Sequence, residues 1–187
     1  MTLKAQGRAG KAGPFLAILA ILSLAALPLP AQELAPQAAV PKADGLVSPG
    51  EYGYETAYAG MRLSAALSQD GKILHLALSA PTKGWAAIGL GSRKMDGAHM
   101  ILGYDAAGSA AVSEEKGKGR SHSPTQDKRL LSSAVKESGD ATVLEFSLPL
   151  ADLAPSGKLP LIIAYGARDD FRSMHSKYGS FELPLKR

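Results

Sequence analysis

The chain has 187 residues, a formal net charge of +4 and no cysteine. Without thiols it forms no disulfide, zinc–thiolate site or iron–sulfur cluster, and thiol catalysis is excluded. The length suits one domain with one core once any targeting segment is removed.

The N-terminal segment has the order of features of a secretory signal. Three basic residues occur before residue 12, residues 15–27 are almost all apolar, and Ala31 follows a proline-containing break. This order predicts a signal peptide over residues 1–31 and a protein that is secreted or periplasmic. The alternative is an uncleaved anchor, which would be the only membrane attachment. Its apolar core is shorter than the ~20 residues that a membrane span needs.

The positive charge belongs to this N-terminal segment. Residues 1–31 contain three basic residues and no acidic residue, so their removal lowers the net charge from +4 to +1. The remaining net charge does not indicate a basic nucleic-acid-binding surface, and we expect no nucleic-acid partner. Residues 32–43 are rich in Ala, Pro and Gln, which predicts a flexible leader. The folded domain is then expected over residues 44–187.

Short segments with period-two alternation fill this domain. Residues 61–69 and 72–80 alternate apolar and polar positions on either side of Asp70-Gly71, a pair that favours a tight hairpin turn. Residues 141–150 alternate in the same way. About eight to ten such strands, with no long amphipathic helix, predict an all-β fold, an antiparallel immunoglobulin-like β-sandwich.

Two histidines fall in this pattern outside the main clusters. His75 alternates with leucines in residues 72–80, which predicts a half-exposed strand residue. Residues 114–127 are polar and rich in Gly and Lys, which predicts a long surface loop with His122 solvated in it.

No motif of an enzyme is present. The sequence has no Gly-rich phosphate loop, no nucleophile elbow and no HExxH. Asp96, Asp169 and Asp170 have nothing in the sequence that positions them as an acid–base pair. We therefore expect a binding domain that is not itself an enzyme.

Thioether and imidazole side chains cluster in two places. Met95, His99 and Met100 follow a short apolar run, and Met174 and His175 precede the last predicted strand. Loops at one end of a sandwich meet, so the two places are expected to converge. A Met and a His on opposite sides of one iron are an axial pair of haem proteins suited to electron transfer. The alternative is that Met95 fills a gap in the core, as methionines usually do.

The order of these features resembles the DOMON family, the sandwich type of the cytochrome domain of cellobiose dehydrogenase and of dopamine β-monooxygenase-like proteins. The resemblance spans about residues 44–185. The matching pieces are Asp44-Gly45 with Glu51-Tyr52, Gly84-Trp85-Ala86-Ala87-Ile88-Gly89-Leu90, Met95-Asp96-Gly97-Ala98 running on to Gly103-Tyr104, Phe146-Ser147-Leu148-Pro149-Leu150, Ile163-Ala164-Tyr165-Gly166, and His175-Ser176-Lys177-Tyr178-Gly179-Ser180.

The resemblance implies a two-sheet sandwich with a pocket for b-type haem or a sugar. In haem-binding members the axial ligands are a Met after the first core strand and a His before the last strand, which fall here on Met95 and His175. It therefore implies haem b as the cofactor and transfer of electrons to a redox partner protein. His99 stands where relatives commonly have an acid, and it is a candidate substitute ligand. Candidate pocket walls are Trp85, Tyr104, Phe146, Tyr165 and Phe171.

Two other functions stay open. A carbohydrate-binding or interaction module, with a sugar or another small molecule as ligand, would expose Trp85 or tyrosines for stacking and pack Met95 in the core. A periplasmic copper-binding protein would use soft sulfur and imidazole donors. Those donors would be Met95, His99, Met100, Met174 and His175.

Overall fold

Two six-stranded sheets pack face to face in the computed structural model, which describes residues 32–186. These residues form strands, turns and bends without any helix, so the predicted all-β sandwich is confirmed. The structure has twelve strands in the described range where the sequence predicted eight to ten. The predicted signal peptide lies outside the described residues. Residues 32–186 contain no helix of the length and apolar character that crossing a membrane requires.

The strands run in chain order as follows. They are β1 (Pro36–Gln37), β2 (Tyr54–Tyr58), β3 (Met61–Ser68), β4 (Ile73–Ala80), β5 (Ala86–Leu90), β6 (His99–Ala106), β7 (Ser109–Lys118), β8 (Ser121–Pro124), β9 (Ser132–Ser138), β10 (Ala141–Pro149), β11 (Lys158–Tyr165) and β12 (Lys177–Pro184). The first sheet has the order β1-β3-β4-β10-β9, with β2 also paired to β3. The second sheet has the order β12-β11-β5-β6-β7-β8. All pairs are antiparallel except the short pair of β1 with β3.

Alternating side chains build the core between the two sheets. On β10, Leu144, Phe146 and Leu148 are buried in this core, as the alternation predicted. Ile88 on β5 and Ile163 on β11 meet them from the second sheet. Burying a side chain of this size stabilises a fold by about 1.5–3 kcal/mol relative to leaving it exposed. Apolar packing can therefore hold this cysteine-free domain together.

The prediction of a long surface loop over residues 114–127 is wrong. β7 continues to Lys118, and β8 returns from Ser121 to Pro124 as the edge of the second sheet. Edge strands are commonly polar and charged because one side of the strand faces water. A polar composition therefore does not distinguish this edge hairpin from a loop.

The prediction of a flexible leader over residues 32–43 is also wrong. Leu34 is fully buried in the core, its N–H donates to Pro184 O at 2.8 Å, and its carbonyl accepts from Lys186 N at 2.9 Å. Two residues later, β1 pairs with β3. The sandwich therefore begins ten residues before the predicted boundary at residue 44.

A buried carboxylate fastens residues 44–52 to the first sheet. Glu145 on β10 is 0% exposed, and its Oε2 accepts hydrogen bonds from the N–H groups of Asp44, Gly45 and Leu46 at 3.1, 2.7 and 3.0 Å. Its Oε1 accepts from Tyr52 Oη at 2.8 Å. Burial, and then the hydrogen bond to Glu145, raise the pKa of Tyr52 far above its ordinary value. The phenol therefore stays protonated and remains a donor.

His75 is buried rather than half-exposed as predicted. It lies on β4 opposite Ala66 and Ser147, and only 8% of it is exposed. The burial lowers the pKa of His75 below its ordinary value of 6.5. In the folded protein the imidazole is thus neutral at pH values where the unfolded chain already binds a proton.

This difference makes stability depend on pH. As pH falls through 6.5, the unfolded chain gains a proton that folded His75 resists, so the folded state loses stability. We expect His75→Gln to lose less stability than the wild type between pH 7.5 and pH 5.5. Urea unfolding at both pH values measures this difference. An equal or larger loss in the variant would contradict it.

Candidate functional site

A second apolar cluster covers the side of the second sheet that faces away from the core, called here the outer face. Alternation points Ala86, Ile88 and Leu90 inward, and it leaves Trp85 and Ala87 on the outer face. The cluster's buried members are Trp85, Ala87, Ala98, Met100 and Leu102, and its partly buried members are Met95, Tyr104, Ile162, Ala164 and Phe171. Apolar side chains on the outside of a sheet need a cover, which protein segments or a ligand can supply.

Residues 166–176, the connection from β11 to β12, cover one end of this face. Trp85 Nε1 donates to Ser173 Oγ at 2.9 Å, and the rings of Phe171 and Tyr104 lie 4.7 Å apart. Gly166 is required at its position because a Cβ there would collide with the Trp85 indole. The segment thereby buries Trp85 to 6% exposure, so Trp85 is not the open stacking platform that a sugar-binding module predicts.

A half-buried aspartate shapes the turn of this segment. Asp170 Oδ1 accepts from the N–H groups of Arg172 and Ser173 at 2.7 and 2.5 Å. These hydrogen bonds lower the pKa of Asp170 below its ordinary value, since they favour the carboxylate. Asp170 therefore acts as a turn-forming residue in this structure.

Met95 reaches the outer face from the opposite end of the sheet. It opens a turn in which its carbonyl accepts from Ala98 N at 3.1 Å, and Gly97 supplies the positive φ of 79°. The Met95 backbone lies directly over Gly117 of β7, and its Cγ is 3.3 Å from where a Cβ on Gly117 would stand. Met95 is half-buried against the outer cluster.

His175 lies at the other end of the outer face. Ser176 N donates to Tyr165 O at 2.7 Å, which fixes the chain next to His175 beside the end of β11. The imidazole packs against Tyr178 of β12 with 4.8 Å between ring centroids and is half-buried. The neighbouring Met174 is 85% exposed and contributes nothing to the cluster.

Met95 and His175 therefore share a face but do not meet. β5 and β11 are antiparallel, so their connections leave from opposite ends of the sheet and not from one end as expected. The register puts Gly117 about five residues along the strands from Tyr165, or roughly 16 Å at ~3.3 Å per residue. The two residues also lie over different strands. Their role as an axial pair stays a prediction.

Two further predicted site residues lie on the other face of the sheet. Tyr165 packs against the core between the sheets, so it is separated from Trp85 and Tyr104. His99 is 3% exposed, and its Nε2 lies 2.7 Å from Glu114 Oε1, which also accepts from Arg129 N at 2.6 Å. His99 pairs with the inward-facing Leu90, so it does not share a face with Met95. The structure therefore does not support His99 as the substitute ligand.

His122, which the sequence predicts to be solvated in a surface loop, is part of the outer face. His122 lies on β8 directly opposite Gly117, and its Nδ1 is 2.5 Å from Glu115 Oε2. The His122 side chain is 20% exposed and the Glu115 side chain 6%. Recognising residues 114–124 as a hairpin would have placed His122 next to Met95. Their polar composition is equally typical of a loop, so the hairpin was not predicted.

Comparisons with known proteins identify the fold. No family model matches the chain, and no curated protein matches it. Several solved structures are similar to it, two of which are cytochrome domains. The cytochrome domain of Myriococcum thermophilum cellobiose dehydrogenase has a TM-score of 0.55 and 14% identity, covering 71% of this chain and 81% of that one. The cytochrome b domain of pyranose dehydrogenase from Coprinopsis cinerea has a TM-score of 0.54 and 13% identity, covering 65% of this chain and 75% of that one. The chain thus has the fold of these cytochrome domains, and the resemblance stated from the sequence is confirmed at the level of the fold.

Proposed function

We propose that this chain is an exported electron-transfer domain that binds b-type haem on the outer face of its second sheet. It passes electrons to a redox partner protein and is not itself an enzyme. The observation that carries the proposal is the outer apolar cluster, which has a thioether at one end and an imidazole at the other. The fold shared with two cytochrome domains supports it.

The donor chemistry fits haem iron. A Met thioether and a His imidazole are a known axial pair, and a haem held by them supplies one-electron redox chemistry. Met95 and His175 lie at opposite ends of the outer face, and they would be the residues that hold the haem iron. The chain has no cysteine, so the haem would be held without a thioether link.

The residues of the outer face would serve the cofactor in two ways. Ala87 and Ala164 are small, so a ligand that displaces the residues now covering them would approach the sheet closely, and Leu102 and Met100 would form its apolar floor. The exposed cations of the covering segment and of β12 would pair with anionic groups at the edge of a ligand. These cations are Arg168, Arg172 and Lys177.

The present arrangement does not hold both donors against one iron. Phe171 occupies part of the face, packed on Tyr104, and His175 is turned to Tyr178. Binding therefore requires residues 166–176 to shift along the face towards Met95, with Phe171 leaving Tyr104. In the described range, residues 167–176 are held to the sheet by the backbone hydrogen bonds of Arg168 O and Ser176 N and by the side-chain bond from Trp85 Nε1 to Ser173 Oγ, so this shift would also break the Trp85 bond.

Titration with haem tests this proposal. We expect the wild type to give a Soret band with sharp reduced α and β bands, and Met95→Leu and His175→Ala each to weaken haem binding at least 10-fold because a donor is lost. The control is Met174→Leu, since Met174 is exposed beside His175 and should keep wild-type binding. A folded wild type that stays colourless, or variants that all keep the wild-type spectrum, would refute the proposal.

A further inference from the structure

One corner of the outer face, where β6, β7 and β8 meet, brings together donors that the sequence did not connect. Met100 on β6 stands directly opposite Glu115 on β7, and Gly117 on β7 stands directly opposite His122 on β8. Met95 lies over Gly117, in the space that a side chain there would fill. Two thioethers, one imidazole and one carboxylate therefore occupy neighbouring positions on one surface.

The imidazole in this corner is oriented for ligation. A carboxylate only accepts, so His122 Nδ1 must be the donor in its 2.5 Å contact with Glu115 Oε2. In a neutral ring the lone pair is then on Nε2, which has no hydrogen-bond partner in the described part of the chain. A carboxylate behind the far nitrogen of a histidine is the usual outer partner of a metal-binding imidazole. Glu115 is itself fixed by Ser113 Oγ, which donates to its Oε1 at 2.7 Å.

The Met95 thioether is within reach of this nitrogen, and the Met100 thioether lies on the same face. Directly opposed positions of an antiparallel pair place their Cβ atoms about 4.5–5.5 Å apart. Met95 Cγ is 3.3 Å from the Cβ position of Gly117, so it lies within about 9 Å of the His122 Cβ. Met95 and Met100 belong to one apolar cluster, which places the second sulfur on the same side. Flexible Met side chains and an imidazole that extends from its Cβ can close this distance.

We propose that Met95, Met100 and His122 form a binding site for Cu(I), with Glu115 as the positioning residue for His122. Thioether sulfur is a soft ligand that favours Cu(I) over Mg²⁺ or Ca²⁺. Residues 32–186 contain no group of three His, Asp or Glu side chains placed to hold a harder ion. The set differs from the copper ligands considered from the sequence, since His122 replaces His99 and His175 and Met174 is left out. The proposal does not depend on haem binding, although both sites use Met95 and exclude each other.

Titration of the haem-free protein with Cu(I) under anaerobic conditions, against a chromophoric Cu(I) chelator, tests this site. We expect one Cu(I) per chain. Met95→Leu, Met100→Leu and His122→Ala should each lower the affinity at least 10-fold. Glu115→Gln should lower it 10- to 100-fold, the range for loss of an outer-shell partner. Met174→Leu and His175→Ala are the controls and should bind copper as the wild type does.

Melting temperatures of the metal-free variants separate a structural effect from loss of a ligand. Met100 is 5% exposed and its variant is expected to lose some stability, whereas His122→Ala and Met95→Leu alter half-buried residues. Weak copper binding by the folded protein in the two half-buried variants supports the site. Only Met95→Leu is expected to keep the wild-type melting temperature, because His122→Ala removes the partner of the Glu115 side chain, which is 6% exposed. Unchanged copper affinity in both, or loss of binding in Met174→Leu, would overturn it. Haem binding is measured in a separate titration, so failure of one proposal does not decide the other.

Discussion

Glu145→Ala is expected to lower the free energy of unfolding by about 4 kcal/mol, since each buried donor that loses its acceptor costs roughly 1–3 kcal/mol. The Glu145 carboxylate accepts from three successive backbone N–H groups, at residues 44–46, and from the hydroxyl of Tyr52. At roughly 2–4 °C per kcal/mol for a chain of this size, the melting temperature should fall by about 10 °C. Thermal and urea unfolding measure both quantities.

Glu51→Ala is the matched control for this prediction. Glu51 belongs to the same part of the chain and also accepts two backbone hydrogen bonds, from Lys42 N at 3.0 Å and Ser48 N at 2.8 Å. These bonds are exposed, so water replaces the lost acceptor and the cost should stay below about 1 kcal/mol. Equal losses in the two variants would show that burial of the Glu145 carboxylate is not the cause.

Gly117→Ala is expected to remove the Met95 turn from the outer face. A Cβ at this position would collide with the carbonyl of Met95, whose own hydrogen bond closes the turn to Ala98. Relief requires the turn to lift from β7 and to give up the bonds from Gly97 N to Gly117 O and from Gly117 N to Ala98 O. We expect a loss of about 2–3 kcal/mol in stability, at the upper end for overpacking. Haem binding and Cu(I) binding should both weaken at least 10-fold because both use Met95.

Gly119→Ala provides the comparison for Gly117→Ala. Gly119 lies two residues further on, has a φ of 62° and has nothing within 4 Å of its Cβ position. Its replacement costs only backbone strain, about 1 kcal/mol. It should therefore leave ligand binding unchanged. If Gly117→Ala binds haem and Cu(I) as well as Gly119→Ala does, then Met95 does not act from its position over Gly117.

The placement of Met95 and His175 shows what limits sequence reasoning at this site. The residue types of an axial pair and their positions in the chain are visible in the sequence. Their separation depends on which ends of the strands carry the two connections, and that follows from the antiparallel pairing of β5 with β11. No local pattern encodes this pairing, because it joins residues 71 to 79 positions apart.

The histidines show the same limit in another way. His99 and His122 both lie next to acidic residues of β7, but His99 faces the core side of the sheet and His122 the outer face. Which face a strand residue takes depends on register, since a shift of one residue moves every side chain to the opposite face. The sequence therefore shows which residues can donate to a metal. It does not show which of them lie on the same face of the sheet.

Local sequence alone determined the all-β class, the hairpin at Asp70-Gly71 and the inward positions of β10, because alternation and turn preference act between near neighbours in the chain. The tertiary structure decided that polar residues 114–124 close a sheet, that Leu34 belongs to the core and that Met95 is nearer to His122 than to His175. These outcomes depend on pairing between distant segments and on which side chains then lose contact with water. Strand pairing and burial are both fixed only when the two sheets come together, so local sequence does not determine them.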